Sequence, residues 1–212
     1  MNQFEQELSR EISRRKTAKK AVASVVDEYY LKRAEANLSE EEMRSKLRAI
    51  KEKAIGNLDE LIQKAKSSFE KKGVKVIIAK DAASARNAIE AEIGSAKRIV
   101  KSKSNTCKEI GIEELERGGR EITETDTGDF VVKLVGEKGI HQVIPAMHLT
   151  PEQIAEAMNK KMKKRVPADP EKITHEIAAY LREKIMEAEV GITGANVLTA
   201  TGEIILIENE GN

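Results

Sequence analysis

Short apolar runs that end in polar residues, most of them followed by helical sequence, recur from residue 74 onward and limit the fold more than any other feature. Val74-Lys-Val-Ile-Ile-Ala79 runs into Lys80-Asp81, and Arg98-Ile-Val-Lys101 runs into Ser102-Lys103-Ser104. Arg120-Glu-Ile-Thr123 leads to Thr125-Asp126, and His141-Gln-Val-Ile144 leads to Pro145-Ala-Met-His148. Alternating strand and helix patterns specify βαβ units, so the predicted class is α/β, with a mostly parallel sheet flanked by helices. Ligands of such sheets bind outside the carboxyl ends of the strands, where these polar ends are predicted to gather. Gly191-Ile-Thr-Gly-Ala-Asn196 adds a small-residue turn after a further short strand. Backbone N–H groups, Thr193, Gly194 and Asn196 can approach a ligand closely there.

The connecting segments carry start and stop signals. Asp81 is placed to cap a helix through Ile93, and Thr106-Cys-Lys-Glu109 reads as a capping box for a helix to about Arg117. A short helix is expected over Phe130 to Val135. Thr150-Pro-Glu-Gln153 combines an N-cap with Pro at the first helical position. Lys160 to Pro170 reads as a solvated connection, and Asp169-Pro170 opens a helix with Ile173, Ile177, Leu181 and Ile185 inward. Asn196 to Ala200, a Thr201-Gly202 turn and Glu203 to Glu208 read as a hairpin. Within it, Ile204-Ile-Leu-Ile207 is apolar enough for a core strand buried on both faces, and Glu210-Gly211-Asn212 follows at once. The expectation is an α/β domain truncated at its C-terminus. An open apolar edge would then pair with a second copy, giving a homodimer, or leave the chain less stable than a longer one.

Residues 1–72 read as a separate helical region, and 73–212 as the α/β domain. Phe4, Leu8 and Ile12 share a face, as do Val22, Val25, Val26 and Tyr29. Ser39-Glu-Glu-Glu42 is a capping box for a long seam through Met43, Leu47, Ile50, Ala54, Leu58, Leu61, Ala65 and Phe69. Gly56-Asn57 should break it, with Asn57 capping a second helix, and Gly73 should stop it. Such a seam serves either as a docking face for a partner or, as is more usual, as packing against the chain's own domain.

The candidate chemistry sits at the strand ends. Lys101, Ser102, Lys103 and Ser104 precede a helix N-terminus and can hold a carboxylate or phosphate; a solvated basic loop has the same composition. Thr125 and Asp126 can orient a hydroxyl or supply a base, or simply form a turn and cap. His148 can bind an anion, move a proton or ligate a metal, although a lone His is more often structural. Asp126 and His148 are therefore the catalytic candidates, with no role assigned. His141 and His175 make no ligand pair with it, so no metal is expected. Cys107 falls in the first turn of a helix, where the dipole can activate a thiol, but a small, half-buried side chain is the expectation.

A formal net charge of +1 gives no global pull toward nucleic acid or acidic lipid. The basic runs Arg14-Arg-Lys16 and Lys160-Lys-Met-Lys-Lys-Arg165 lack aromatic neighbours for base stacking, so no nucleic-acid partner is expected. The sequence has no apolar run of spanning length, and its one Cys cannot build a four-Cys zinc or iron–sulfur site. A cytoplasmic location is expected.

Val100-Lys-Ser-Lys-Ser104, Glu109-Ile-Gly111, Glu124-Thr-Asp126, Pro145-Ala-Met-His148, Glu189-Val-Gly-Ile-Thr-Gly-Ala-Asn196 and Asn209-Glu-Gly-Asn212 together resemble the LUD domain of lactate-utilisation proteins. The nearer likeness is to the B-type, iron–sulfur member, whose helical N-terminal region resembles Phe4 to Lys72. The resemblance implies a fold like that of sugar-phosphate isomerases and CoA transferases. It also implies work with iron–sulfur redox partner subunits in oxidising L-lactate to pyruvate. The Cys-rich motifs of the B type are missing from this sequence, so no iron–sulfur cluster is expected in it and the cofactor is left open. The leading expectation is a small organic anion or phosphorylated cofactor bound at the strand ends within a redox complex. Two alternatives stand beside it: a stand-alone transferase or isomerase for a phosphorylated or CoA-linked substrate, and a structural subunit that docks an iron–sulfur partner.

Overall fold

The computed structural model describes residues 3–35, 39–142, 144–163 and 165–207. The described residues divide into two compact units, those within 1–22, 79–194 and 207–212, and those within 23–78 and 195–206. The first helix, α1 (Gln3–Glu35), runs from one into the other.

The first unit is the expected mixture of helices around a parallel sheet. Strands β1 (Arg98–Lys101), β2 (Glu121–Glu124) and β3 (Val190–Ile192) lie in the order β2-β1-β3, all parallel. Arg98 pairs with Glu121 and Lys101 with Glu124, while Lys101 also pairs with Ile192. Side chains alternate along a strand, so Ile99 shares a face with Lys101, and Ile122 with Glu124. That face packs on α4 (Ala82–Ile93), α5 (Asn105–Glu109) and a 3-10 helix (Ile112–Gly118), burying Ile93, Ile99, Cys107, Ile110, Ile112, Leu115 and Ile122. A second core forms among α6 (Thr127–Val135), α7 (Pro151–Met162) and α8 (Pro170–Glu187), around Phe130, Met158, Val166, Ile173 and Ile177.

Capping sets most helix starts. Asp81 accepts the Ser84 N–H at 2.7 Å while Ser84 Oγ accepts the Asp81 N–H, a reciprocal box. Thr150 and Gln153 form another, with Pro151 at the first helical position, and Asp169 caps α8. The helix expected from Thr106 starts earlier. Ser104, in extended conformation, accepts the Cys107 N–H, and α5 ends after one turn. Gly111 at φ +69° breaks the helix, and Ile112 and Leu115 continue as a 3-10 turn, whose three-residue period stacks them on one side.

Several expectations fail for identifiable reasons. Val74–Ala79 is not a strand: the Val74 N–H closes the preceding helix on Phe69 O, and Val74, Ile77 and Ile78 are about half exposed. Strand propensity takes effect only with a ladder partner, and none is present among the described residues. His141–Ile144 is irregular where described. His141 Nδ1 accepts the Ile144 N–H and Ile140 N–H bonds Pro145 O, a local side-chain and turn arrangement that displaces strand pairing. The solvated connection is shorter than expected, since α7 reaches Met162 and Val166 is buried. Ile185 is 48% exposed. A four-residue step drifts by roughly 40° around a helix, so three steps carry Ile185 off the face of Ile173.

The second unit holds α2 (Glu40–Gly56), α3 (Leu58–Lys71) and an antiparallel hairpin of β4 (Val197–Leu198) with β5 (Ile204–Ile205). Ser39 accepts the Glu42 N–H. Asn57 does not cap α3; its amide donates to Lys53 O and closes α2 instead. Gly73, at φ +80°, follows the end of α3 as expected. The hairpin turn holds to α3 through Ser68 Oγ–H on Ala200 O at 2.8 Å and Lys72 Nζ on Gly202 O at 2.7 Å. Gly202 has φ +81°, and a Cβ there would meet Ser68 Cβ at 3.0 Å, so only glycine fits. The amphipathic seam is buried only at its far end: Phe69 is buried, whereas Met43, Leu47 and Ile50 are exposed. The expected core strand is likewise corrected, because only Ile204 and Ile205 form a strand, in an antiparallel hairpin, and Ile204 to Ile207 are 42–63% exposed. The Glu208 end of the hairpin and the Asn209–Asn212 motif lie outside the described residues.

Candidate functional site

Parallel alignment brings the carboxyl ends of β1, β2 and β3 together, and the chain leaves each strand on a polar residue. The Ser102 N–H extends the β1–β3 ladder to Ile192 O at 2.9 Å, and the Thr125 N–H extends β1–β2 to Lys101 O at 2.9 Å. Ser102 Oγ donates to Thr193 Oγ1 at 2.9 Å, and Thr125 Oγ1 donates to Lys101 O. Gly194 lies against the α5 cap: a Cβ there would stand 2.9 Å from Ser104 Oγ. Ser104 is fixed by its bond from Cys107, so the close approach needs glycine.

Charge is dense and paired here. Lys101 is fully buried, with Nζ 2.8 Å from Glu124 Oε2 and 3.9 Å from Glu113 Oε1. The 2.8 Å contact is an ion pair whose angles fall short of hydrogen-bond geometry, so neither atom has a well-formed hydrogen bond. Burial pushes the Glu124 carboxyl pKa up; the Lys101 ammonium pulls the other way but does not offset it, and Asp129 and Glu113 add to the rise. Lys103 Nζ lies 3.4 Å from Asp126 Oδ1, and Lys108 Nζ reaches both Asp129 oxygens at 2.9 and 3.0 Å. Asp126 is also the N-cap of α6, accepting the Asp129 N–H at 2.8 Å. The cap reading of Thr125-Asp126 is thus present in the structure beside its position at the strand ends.

Lys101, Ser102, Lys103, Ser104, Thr125, Asp126, Thr193 and Gly194 form this cluster. His148 is buried with different partners: its Nε2 lies 2.9 Å from Glu137 Oε2, the oxygen that also pairs with Arg14, and its Nδ1 has no hydrogen-bond partner. Asn196 belongs to the second unit, where its N–H donates to Ile205 O at 3.1 Å. Cys107 is fully rather than half buried.

Sequence reasoning quoted Glu124 only within a family motif and gave it no role, and it did not single out Asp129, Glu137 or Glu113. For Glu124 a signal existed. Ile99-x-Lys101 and Ile122-x-Glu124 put opposite charges at matching inward positions of two strands, a pattern expensive to bury unless the charges meet. Glu137 follows a helix with no such mark.

The chain matches the LUD domain over residues 62–212, more than two-thirds of its length. It is similar to Lactate utilization protein B of Bacillus pumilus (strain SAFR-032), with 36% identity over 200 residues, covering 91% of this chain and 42% of that protein. The protein of the same name in Bacillus subtilis (strain 168) is 36% identical over 179 residues, covering 81% of this chain and 37% of the relative. That of Bacillus thuringiensis (strain Al Hakam) is 34% identical over 199 residues, covering 91% and 42%. The chain thus spans about two-fifths of the length of these relatives. No solved structure matches it significantly. By the extent of the domain match and the likeness to the B-type proteins, the chain belongs to the LUD-domain family.

Proposed function

We propose that this chain acts in lactate utilisation, as a LUD-domain component of a lactate-oxidising or related redox complex, and binds a small organic anion or phosphorylated cofactor at the ends of β1, β2 and β3. The observation that carries this reading is the convergence of three parallel strand ends on Lys101, Lys103, Ser102, Ser104 and Thr193. Ammoniums and hydroxyls are groups that hold carboxylates and phosphates. The names of the relatives support the lactate context. In this reading 73–212 is the LUD-like α/β domain, related in fold to sugar-phosphate isomerases and CoA transferases. The N-terminal helical region is 1–72, and in the structural-subunit alternative it is the arm that docks an iron–sulfur partner. Among the described residues no helix is long and apolar enough to cross a membrane, which is compatible with a cytoplasmic assembly.

The test is thermal unfolding of the chain with lactate, pyruvate, CoA or a nucleotide. A ligand present at a hundred times its Kd stabilises by about 2.7 kcal/mol. Stabilisation by lactate or pyruvate that disappears in Lys103→Glu supports the proposal. Stabilisation by CoA alone favours the transferase reading, and no response to any of them favours a structural subunit.

A further inference from the structure

The buried pair at the strand ends has a consequence for how an anion enters. Lys101 is wholly buried, and its nearest counter-charge is Glu124, with Glu113 more than an ångström further away. Glu124 forms part of the wall of a cavity of about 320 Å³, together with Ile122, Thr123, Phe130 and Tyr180; Lys101 is not part of that wall. Of the two members of the pair, Glu124 is the one that borders this cavity.

Two carboxylates on one buried ammonium repel strongly, because the low local dielectric leaves their charges poorly screened. The surroundings do not relieve this. Asp129 of α6 and Glu113 of the 3-10 helix both disfavour a charged Glu124. Lys108 of α5 is committed to Asp129, and Lys103 faces Asp126. Around the cavity, Lys133 of α6 is held by Glu116 and by the Ile122 carbonyl, and Glu121 of β2 pairs with Lys184 of α8. Lys161 of α7, the remaining cation of the wall, is exposed to solvent. Burial already favours the neutral form of the Glu124 carboxyl.

We infer that an organic anion binds at these strand ends together with a proton, which neutralises Glu124 and leaves Lys101 as the counter-ion of the ligand. The inference rests on the anion-binding reading above and adds to it a fixed proton stoichiometry. A carboxylate ligand then replaces the Glu124 carboxylate in the ion pair, and the neutral carboxyl can donate to it. Affinity rises as pH falls, because the complex holds a proton that the free protein has released.

The experiment is calorimetric titration of the whole chain with lactate and with pyruvate, in two buffers of different ionisation enthalpy at the same pH, repeated across mildly acidic to mildly alkaline pH. The expected result is uptake of about one proton and about a tenfold gain in affinity per unit fall in pH where the linkage operates. Glu124→Gln should bind with no proton uptake and no pH dependence in that range. Binding by the wild-type chain without proton uptake overturns the inference and leaves the binding reading intact. So does a Glu124→Gln chain that keeps the wild-type pH dependence. Absence of binding to either anion at every pH overturns both. Proton counting in the wild-type chain decides the question even if the variant fails to fold.

Discussion

The two compact units put the same kinds of side chain to opposite use. In the first, Ile99, Ile122 and Ile177 are 1–3% exposed; in the second, Ile78, Ile204 and Ile205 are 47–55% exposed. Both sets come from β-branched or amphipathic runs that look alike in sequence. The difference is the neighbour. Ile99 and Ile122 stand side by side in a ladder covered by α4, α5 and the 3-10 helix. Ile204 and Ile205 have a two-residue partner strand. A run of apolar residues supplies the tendency to be buried, and a second layer of structure decides whether burial occurs.

The sharpest way to break this comparison is at the charged end of the first core. Lys101→Met removes the counter-ion of a buried carboxylate and should cost about 3–5 kcal/mol at alkaline pH. The cost should shrink on acidification. Glu124 already has a folded-state pKa above its unfolded one, so the native state holds the extra proton, and stability is lost as pH rises from the ordinary carboxylate range through the raised value. Without Lys101 that pKa rises further and the loss extends to higher pH. Urea unfolding of both chains across pH checks this; a cost independent of pH would show that Glu124 does not respond.

Next in size is a paired truncation. Ile177→Ala should destabilise by about 2–5 kcal/mol, because it opens a cavity in a packed core. Ile205→Ala, at an exposed position, should stay within about 0.5 kcal/mol. Equal costs in denaturant unfolding would mean that the hairpin is covered in solution, for instance by a second copy, and solution mass would then show the dimer.

Asp126→Ala tests a residue with two assignments. Loss of the α6 cap should cost about 1 kcal/mol. A drop in lactate affinity larger than that stability loss explains would give Asp126 a part in binding as well.

The smallest effect belongs to the helical surface of the second unit. Arg44→Ala removes an exposed pair with Glu40 one turn away and should cost about 0.3–0.5 kcal/mol at low salt and less at high salt. A larger loss would show that α2 has tertiary support beyond its own turns.

The caps at Asp81, Thr150 and Asp169, the stop at Gly73 and the turn at Gly202 were all readable in the sequence, because each depends on residues within a few positions of one another. So were the strands at 98–101 and 121–124, to within a residue, and the polar residues at their ends. Alternation and capping are local, and local chemistry survives in any fold that uses the segment.

Tertiary structure decided the rest. It withheld a ladder partner from Val74–Ala79, so a run with strand propensity has no strand partner among the described residues. It let His141 bond the Ile144 amide and left that segment irregular. It placed His148 against Glu137, which nothing in the sequence linked to it, and set Lys101 opposite Glu124 although 22 residues separate them. Pairings of this kind depend on register and on which layers meet. Those follow from the summed burial of the whole domain, which no window of a few residues contains.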